Sequence, residues 1–177
     1  MHLSLARDYG VSHDRMTSLV RPLDPERLLR RPSADRWSVG EVLEHLTLMD
    51  ELFLTAVEPI VRTARKDAAA PARPWSATFI GGKIAGSLEG AKPLKSPKAA
   101  VPNAPRAALR EAFLAGDSRY ATLLSDAAPL DWNAVRLRPP VAPWVPLKIN
   151  LGDVFCLHRV HVQRHLKQIE RIVARTR

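Results

Sequence analysis

Four stretches of the chain repeat apolar residues at the three- and four-residue spacing of an amphipathic helix. The first covers about residues 3–21, and the second starts at Ser38 and is expected to end at Pro59, because proline cannot continue helical hydrogen bonding. The third covers about residues 106–126 and the fourth about residues 150–174. On the first stretch the predicted buried residues are Leu5, Val11, Met16, Leu19 and Val20. Four such helices without a convincing series of strands predict an all-α four-helix bundle.

Capping residues mark two helix starts, one in the short turn after the first stretch and one at the start of the second stretch. Asp24 precedes Pro25, which is the order expected for an N-cap followed by proline at the first helical position. Ser38 and Glu41 form an S-x-x-E capping box, in which the hydroxyl caps the helix and the carboxylate reaches back. The helix that starts at Ser38 carries His45.

A long connection separates the second and third predicted helices, from about residue 66 to about residue 106. Its apolar residues, Phe79, Ile80, Ile84 and Leu88, predict one short helix, and prolines 93, 97, 102 and 105 exclude a long one. A connection of this length is typically functional or disordered, so it is a candidate lid over a site. The role of its basic part, residues 83–106, is left open; Lys92, Lys95 and Lys98 are most simply solvated, but they could attract an anionic substrate.

Prolines also interrupt the segment before the last helix. Those at positions 139, 140, 143 and 146 favour an extended backbone. Trp132, Val141 and Trp144 in the same segment offer apolar surface for packing.

Length and composition predict one domain spanning residues 1–177. The chain has 177 residues, of which 46% are hydrophobic, enough for one core. Its single cysteine, Cys156, excludes an internal disulfide and fits a reducing, cytoplasmic compartment. No stretch approaches the roughly 18 apolar residues of a membrane span, so no membrane association is expected.

The net charge of +9 raises the alternative of nucleic-acid binding. The basic residues are spread along the chain, however, and aromatic residues make up only 6%. No nucleic-acid-binding motif accompanies them, so no nucleic-acid partner is expected.

The last helix places three histidines on or beside its apolar face. With His158 at 0° and 100° per residue, His165 lies at about −20° and His161 at about −60°. Eight apolar residues fall between roughly −40° and +80°: Leu151, Val154, Phe155, Val162, Leu166, Ile169, Ile172 and Val173. His161 and His165 are one turn apart and could chelate one ion, whereas His158 and His165 are about 10.5 Å apart along the axis. The pair His158 and His161 remains possible on spacing alone. Cys156 lies at about 160°, away from the histidines.

Two motifs resemble those of the DinB family of four-helix bundles. The first is W-S-x-x-E-x-L-x-H, which runs from Trp37 to His45, and the second is H-x-x-x-H-x-x-Q, which runs from His161 to Gln168. The two motifs and the long connection between them cover nearly the whole chain. The resemblance implies a DinB-type bundle in which a divalent metal, zinc or nickel, is held by His45, His161 and His165.

In similar proteins such a metal activates the sulfur of a low-molecular-weight thiol for transfer to or from a small electrophile. The resemblance therefore implies a metal-dependent thiol transferase or a hydrolase acting on a small-molecule substrate. It also implies a homodimer, for which Leu48 and Leu52 on the outer side of the second helix are the candidate contact. The alternative is a noncatalytic binding or dimerisation module with a structural metal or a structural histidine cluster.

Three further residues lie near the histidines in these motifs, and two of them have two interpretations each. Trp37 is expected to pack at the start of its helix, and Glu41 either caps that helix or supports His45 from one turn away. Gln168 either lines the pocket or packs at the edge of the bundle.

Overall fold

The computed structural model describes residues 2–66, 73–90, 94–103, 108–144 and 146–175. Its helices are α1 (His2–Val20), α2 (Pro25–Leu29), α3 (Val39–Lys66), α4 (Phe79–Glu89), α5 (Leu109–Ala127) and α6 (Leu151–Arg175). A short 3₁₀ helix spans Lys98–Ala100, and two-residue strands β1 (Arg136–Leu137) and β2 (Ile149–Asn150) pair antiparallel.

The four long helices α1, α3, α5 and α6 form a bundle. Helix α3 packs mainly against α5, α1 packs mainly against α6, and α4 lies along α6. The long connection predicted from the sequence runs between α3 and α5, the second and third of the four long helices. The all-α four-helix bundle is therefore confirmed. Within the described residues, no helix is long and apolar enough to cross a membrane.

The second predicted helix was expected to end at Pro59, and that boundary is wrong. Helix α3 continues through Pro59 to Lys66. Val57 and Val61 on either side are buried in the core, whereas Pro59 itself is exposed. Proline has no N–H, so the carbonyl of Thr55, four residues earlier, loses its helical hydrogen bond. Thr55 is exposed, so water can hydrate this carbonyl, and burial beyond Pro59 offsets the lost bond.

Two residues predicted to pack are exposed. Val11 is 62% exposed because the buried stripe of α1 passes through Ser12 and Tyr9, which lie about 100° and 160° away from it around the helix. Trp144 is 75% exposed, whereas Trp132 in the same proline-rich segment is buried and donates to the carbonyl of Ala127.

Helix α4 and the residues just before it approach α6 closely because glycines lie at the contacts. A Cβ atom on Gly81 would lie 2.2 Å from the Asp153 side chain, and one on Gly152 would lie 2.2 Å from Trp75. Asp153 accepts the backbone N–H of Thr78, at the start of α4, and also the backbone N–H of Asn150, before the start of α6. One buried carboxylate thus fixes the beginnings of both helices. The short helix predicted from the sequence for this connection is confirmed as α4.

Candidate metal centre

The start of α3 is held by the predicted capping box. The Ser38 hydroxyl accepts the Glu41 backbone N–H at 3.1 Å, and the Glu41 carboxylate accepts the Ser38 backbone N–H at 2.8 Å. Arg31 donates to both oxygens of the same carboxylate. These contacts lower the pKa of Glu41 despite its partial burial. Glu41 therefore caps α3 and is held by Arg31 and Ser38, which favours the first of its two interpretations.

The second predicted cap is also confirmed, since Asp24 accepts the Arg27 backbone N–H at the start of α2.

His45 lies one turn further along α3 and is only 2% exposed. Its Nδ1 donates to the carbonyl oxygen of Ala100 over 2.6 Å. Trp37 covers the same imidazole, with 5.2 Å between ring centroids. Because a carbonyl can only accept, Nδ1 carries the proton and the lone pair of the neutral ring lies on Nε2.

The contact with Ala100 gives part of the long connection a defined place at this site. Ala100 is fully buried, and the 3₁₀ helix that contains it packs against α3. In the middle of the connection, Arg164 of α6 donates to the carbonyls of Leu88 and Gly90 at the end of α4. Lys95 and Lys98 are exposed, in line with solvated residues, and Lys92 lies outside the described residues.

His161 and His165 come from α6, and each is 8% exposed. His165 Nδ1 donates to the Gln168 side-chain oxygen over 2.9 Å, so its lone pair also lies on Nε2. Gln168 thus contacts the histidine cluster, as one of its two interpretations expected.

The three imidazoles converge on one point. His161 Nε2 lies 3.1 Å from His45 Nε2 and 3.1 Å from His165 Nε2. Their possible ligand atoms all lie within 4.8 Å of one another. Nitrogens bound to one tetrahedral zinc at about 2.0–2.1 Å would be separated by about 3.3–3.4 Å, close to the observed spacing.

The hydrogen bonds also favour a cation at that point. His45 and His165 both direct a lone pair toward His161 Nε2, and a neutral His161 can donate a proton to only one of them. A metal ion accepts all three lone pairs and removes this conflict. The donor set present therefore fits a divalent metal ion.

Burial keeps the three rings neutral. Burial is the main reason that the pKa of each histidine is lowered. The pKa of His45 is below 6.5, that of His161 is well below 6.5, and that of His165 is about 3. The neighbouring histidines lower the pKa of His161 and His165 further. Neutral imidazole is the form that binds a metal, so these side chains need not lose a proton first.

His158 is not part of this cluster. Its Nε2 lies 2.7 Å from Asp50 Oδ1, its ring stacks on Tyr120, and it is 1% exposed. The structure therefore places His158 in the core and leaves His161 and His165 as the converging pair of α6. Cys156 is partly buried and lies outside the cluster as well.

Comparison with known protein families gives the same assignment as the two motifs. The family model of the DinB superfamily matches residues 9–169. The chain belongs to the DinB superfamily. No curated protein and no solved structure shows a significant match to it. Within this DinB chain the described site is a buried three-histidine cluster that could hold a metal ion.

Two features of the site could not be found from the sequence. Ala100 contributes a backbone carbonyl, which any residue provides, so its identity carries no signal. Asp50 offered a weak signal, since a carboxylate within the apolar pattern of an amphipathic helix requires a buried partner.

Proposed function

We propose that this DinB protein binds one divalent metal ion, zinc or nickel, through His45, His161 and His165, and that it acts as a metal-dependent thiol transferase or hydrolase on a small molecule. The observation that carries the proposal is the meeting of three Nε2 atoms, with 3.1 Å between neighbours and two of the tautomers set by hydrogen bonds. Hydrogen bonds that orient ligand imidazoles are typical of metal sites in proteins.

The residues around the cluster support binding in a defined geometry. The Ala100 carbonyl and the Gln168 side chain fix the two outer rings, and Trp37 restricts movement of His45. Their placement before metal arrives reduces the rearrangement required on binding. Three protein ligands leave a coordination position open, as in catalytic rather than closed structural sites.

A divalent metal would supply Lewis acidity, lowering the pKa of a thiol or water at the open position. The single cysteine of the chain supports a cytoplasmic location, where thiols are kept reduced. A low-molecular-weight thiol as the substrate agrees with that location. The low exposure of His161 and His165, 8% each, favours a compact substrate.

The same low exposure favours the second candidate, a noncatalytic module with a structural metal. A structural site is closed to solvent, whereas a catalytic one must admit a substrate atom. The two candidates therefore differ in whether an added thiol reaches the metal.

Cobalt(II) substitution distinguishes them. The cobalt-loaded protein is titrated with cysteine, glutathione and 2-mercaptoethanol, and near-ultraviolet absorption is recorded. A saturable thiolate-to-cobalt charge-transfer band with any of them is expected for an open position. An unchanged spectrum with all three thiols would contradict thiol transfer and leave two candidates, a structural site and hydrolysis. Zinc-dependent cleavage of small ester substrates tests for hydrolysis.

We also propose that the protein is a homodimer that uses the outer side of α3. An apolar groove of about 530 Å³ lies along this face. Its lining includes Leu48, Leu52, Ala56 and Ile60 of α3 and Pro139 and Pro140 from the proline-rich segment. Burying an apolar groove of this kind between two copies would remove it from water.

Light scattering of Leu52→Glu tests the dimer. The wild type is expected to have twice the mass of one chain and the variant the mass of one chain, because the new carboxylate would be buried at the contact. Val11→Glu is the control, since Val11 is 62% exposed on α1, away from the groove. A monomeric wild type at high concentration would contradict the dimer.

A further inference from the structure

The core contains a polar and aromatic layer close to the histidine cluster, where all four long helices meet. His158 of α6 lies 2.7 Å from Asp50 of α3. Tyr120 of α5 stacks on His158 with 3.4 Å between ring centroids, and Tyr9 of α1 stacks on Tyr120 at 5.5 Å. Gly116 of α5 lies beside the carboxylate, where a Cβ atom would be in ordinary van der Waals contact with Asp50 Oδ2 at 3.4 Å.

Stability alone does not explain this layer. Asp50 is 2% exposed and His158 is 1% exposed, so both polar groups have lost their hydration. Within the described part of the chain, His158 Nδ1 and the Tyr120 hydroxyl have no hydrogen-bond partner. A buried, incompletely satisfied polar pair contributes less than apolar side chains of similar volume would.

The pair joins the same two helices that carry the metal-site histidines. Asp50 follows His45 by five residues in α3, about 7.5 Å along the axis, and His158 precedes His161 by three residues in α6, about 4.5 Å. On the other side of the histidines, α3 and α6 share an aliphatic cluster that includes Val42 and Ile169.

Aliphatic contacts and a hydrogen bond constrain two helices differently. Aliphatic packing is not directional and tolerates small sliding movements. A carboxylate to imidazole hydrogen bond weakens steeply once its distance or angle departs from the normal range, and a slide by one residue is about 1.5 Å. Metal ligands need distances within about 0.2 Å, so the register of α3 against α6 decides whether three nitrogens meet.

We propose that Asp50 and His158 are positioning residues that fix the register of α3 against α6 and so bring His45 to His161 and His165. The proposal rests on the proposed metal binding and adds to it two residues that are not ligands. Their hydrogen bond acts through the helices that they join.

The test separates positioning from stability by removing both partners together. The double variant Asp50→Leu/His158→Leu leaves no unpaired buried charge and is expected to fold with a melting temperature at or above that of the wild type. Its zinc affinity is expected to fall at least tenfold, and its cobalt(II) absorption spectrum is expected to change.

Two single variants complete the design. Asp50→Asn keeps an oxygen acceptor for His158 Nε2 and is expected to retain zinc affinity within threefold. Leu54→Ala, at a buried aliphatic residue one turn along α3, is expected to lower the melting temperature and to leave zinc affinity unchanged.

A double variant with the same zinc affinity and the same cobalt spectrum as the wild type would overturn the proposal. Failure of the wild type to bind metal would end the proposed function separately. A crystal structure of the metal-free double variant would still test whether Asp50 and His158 position the histidines. A His45 to His161 Nε2 distance clearly longer than 3.1 Å supports positioning, and an unchanged distance refutes it.

Discussion

Metal-free protein should lose stability in mild acid because its buried histidines resist protonation. Burial lowers the pKa of His165 from 6.5 to about 3 in the folded protein, whereas the unfolded chain keeps the ordinary value. Below pH 6.5 the unfolded state therefore binds the proton that the folded state excludes. The free energy of unfolding is therefore unaffected by protonation of His165 above pH 6.5, and it decreases progressively as the pH falls toward 3.

The size of the effect follows from the two pKa values. Between pH 7 and pH 5, one histidine with these values lowers the free energy of unfolding by about 2 kcal/mol. His45 and His161 shift in the same direction, so the wild type should lose more than that amount.

Urea denaturation with a chelator at pH 7 and pH 5 measures the loss, and His165→Leu removes one titrating group. The drop in unfolding free energy between the two pH values should be smaller in the variant by about 2 kcal/mol. Val162→Ala, a buried neighbour in the same helix, should be less stable at both pH values with the same drop as the wild type. An equal drop in His165→Leu and the wild type would show that folding does not suppress protonation of His165.

Two further predictions concern the helices that support the site. Gly152→Ala should lower the free energy of unfolding by about 1–3 kcal/mol, because its Cβ would displace Trp75 from its hydrogen bond with Asn150. Gly86→Ala, with open space around it, should be neutral or stabilising in the same urea experiment, and equal losses in both would contradict the packing argument. Pro59→Ala should raise the free energy of unfolding by about 1–3 kcal/mol by restoring a helical N–H, and a lower melting temperature would show that proline is required there.

The sequence predicted what depends on local spacing. Helical periodicity placed His161 and His165 on one face, and the capping box placed the start of the helix that carries His45. Convergence of the two helices required the resemblance to the DinB family, since spacing says nothing about which helices meet.

Features that depend on tertiary packing could not be predicted. Helix α3 continues past Pro59, where Val61 is buried in the core, and Val11 is exposed because the stripe of α1 includes the polar Ser12. The contact of Ala100 with His45 joins residues 55 positions apart through a backbone atom. No local pattern reports such a contact.

Zinc K-edge X-ray absorption spectroscopy, on zinc-loaded protein purified without an affinity tag, tests the metal centre most directly. We expect one zinc per chain with imidazole nitrogens at about 2.0–2.1 Å, and loss of this signal in His161→Ala with the helical circular dichroism retained. Absence of bound zinc, or an unchanged spectrum in His161→Ala, would contradict the three-histidine metal site.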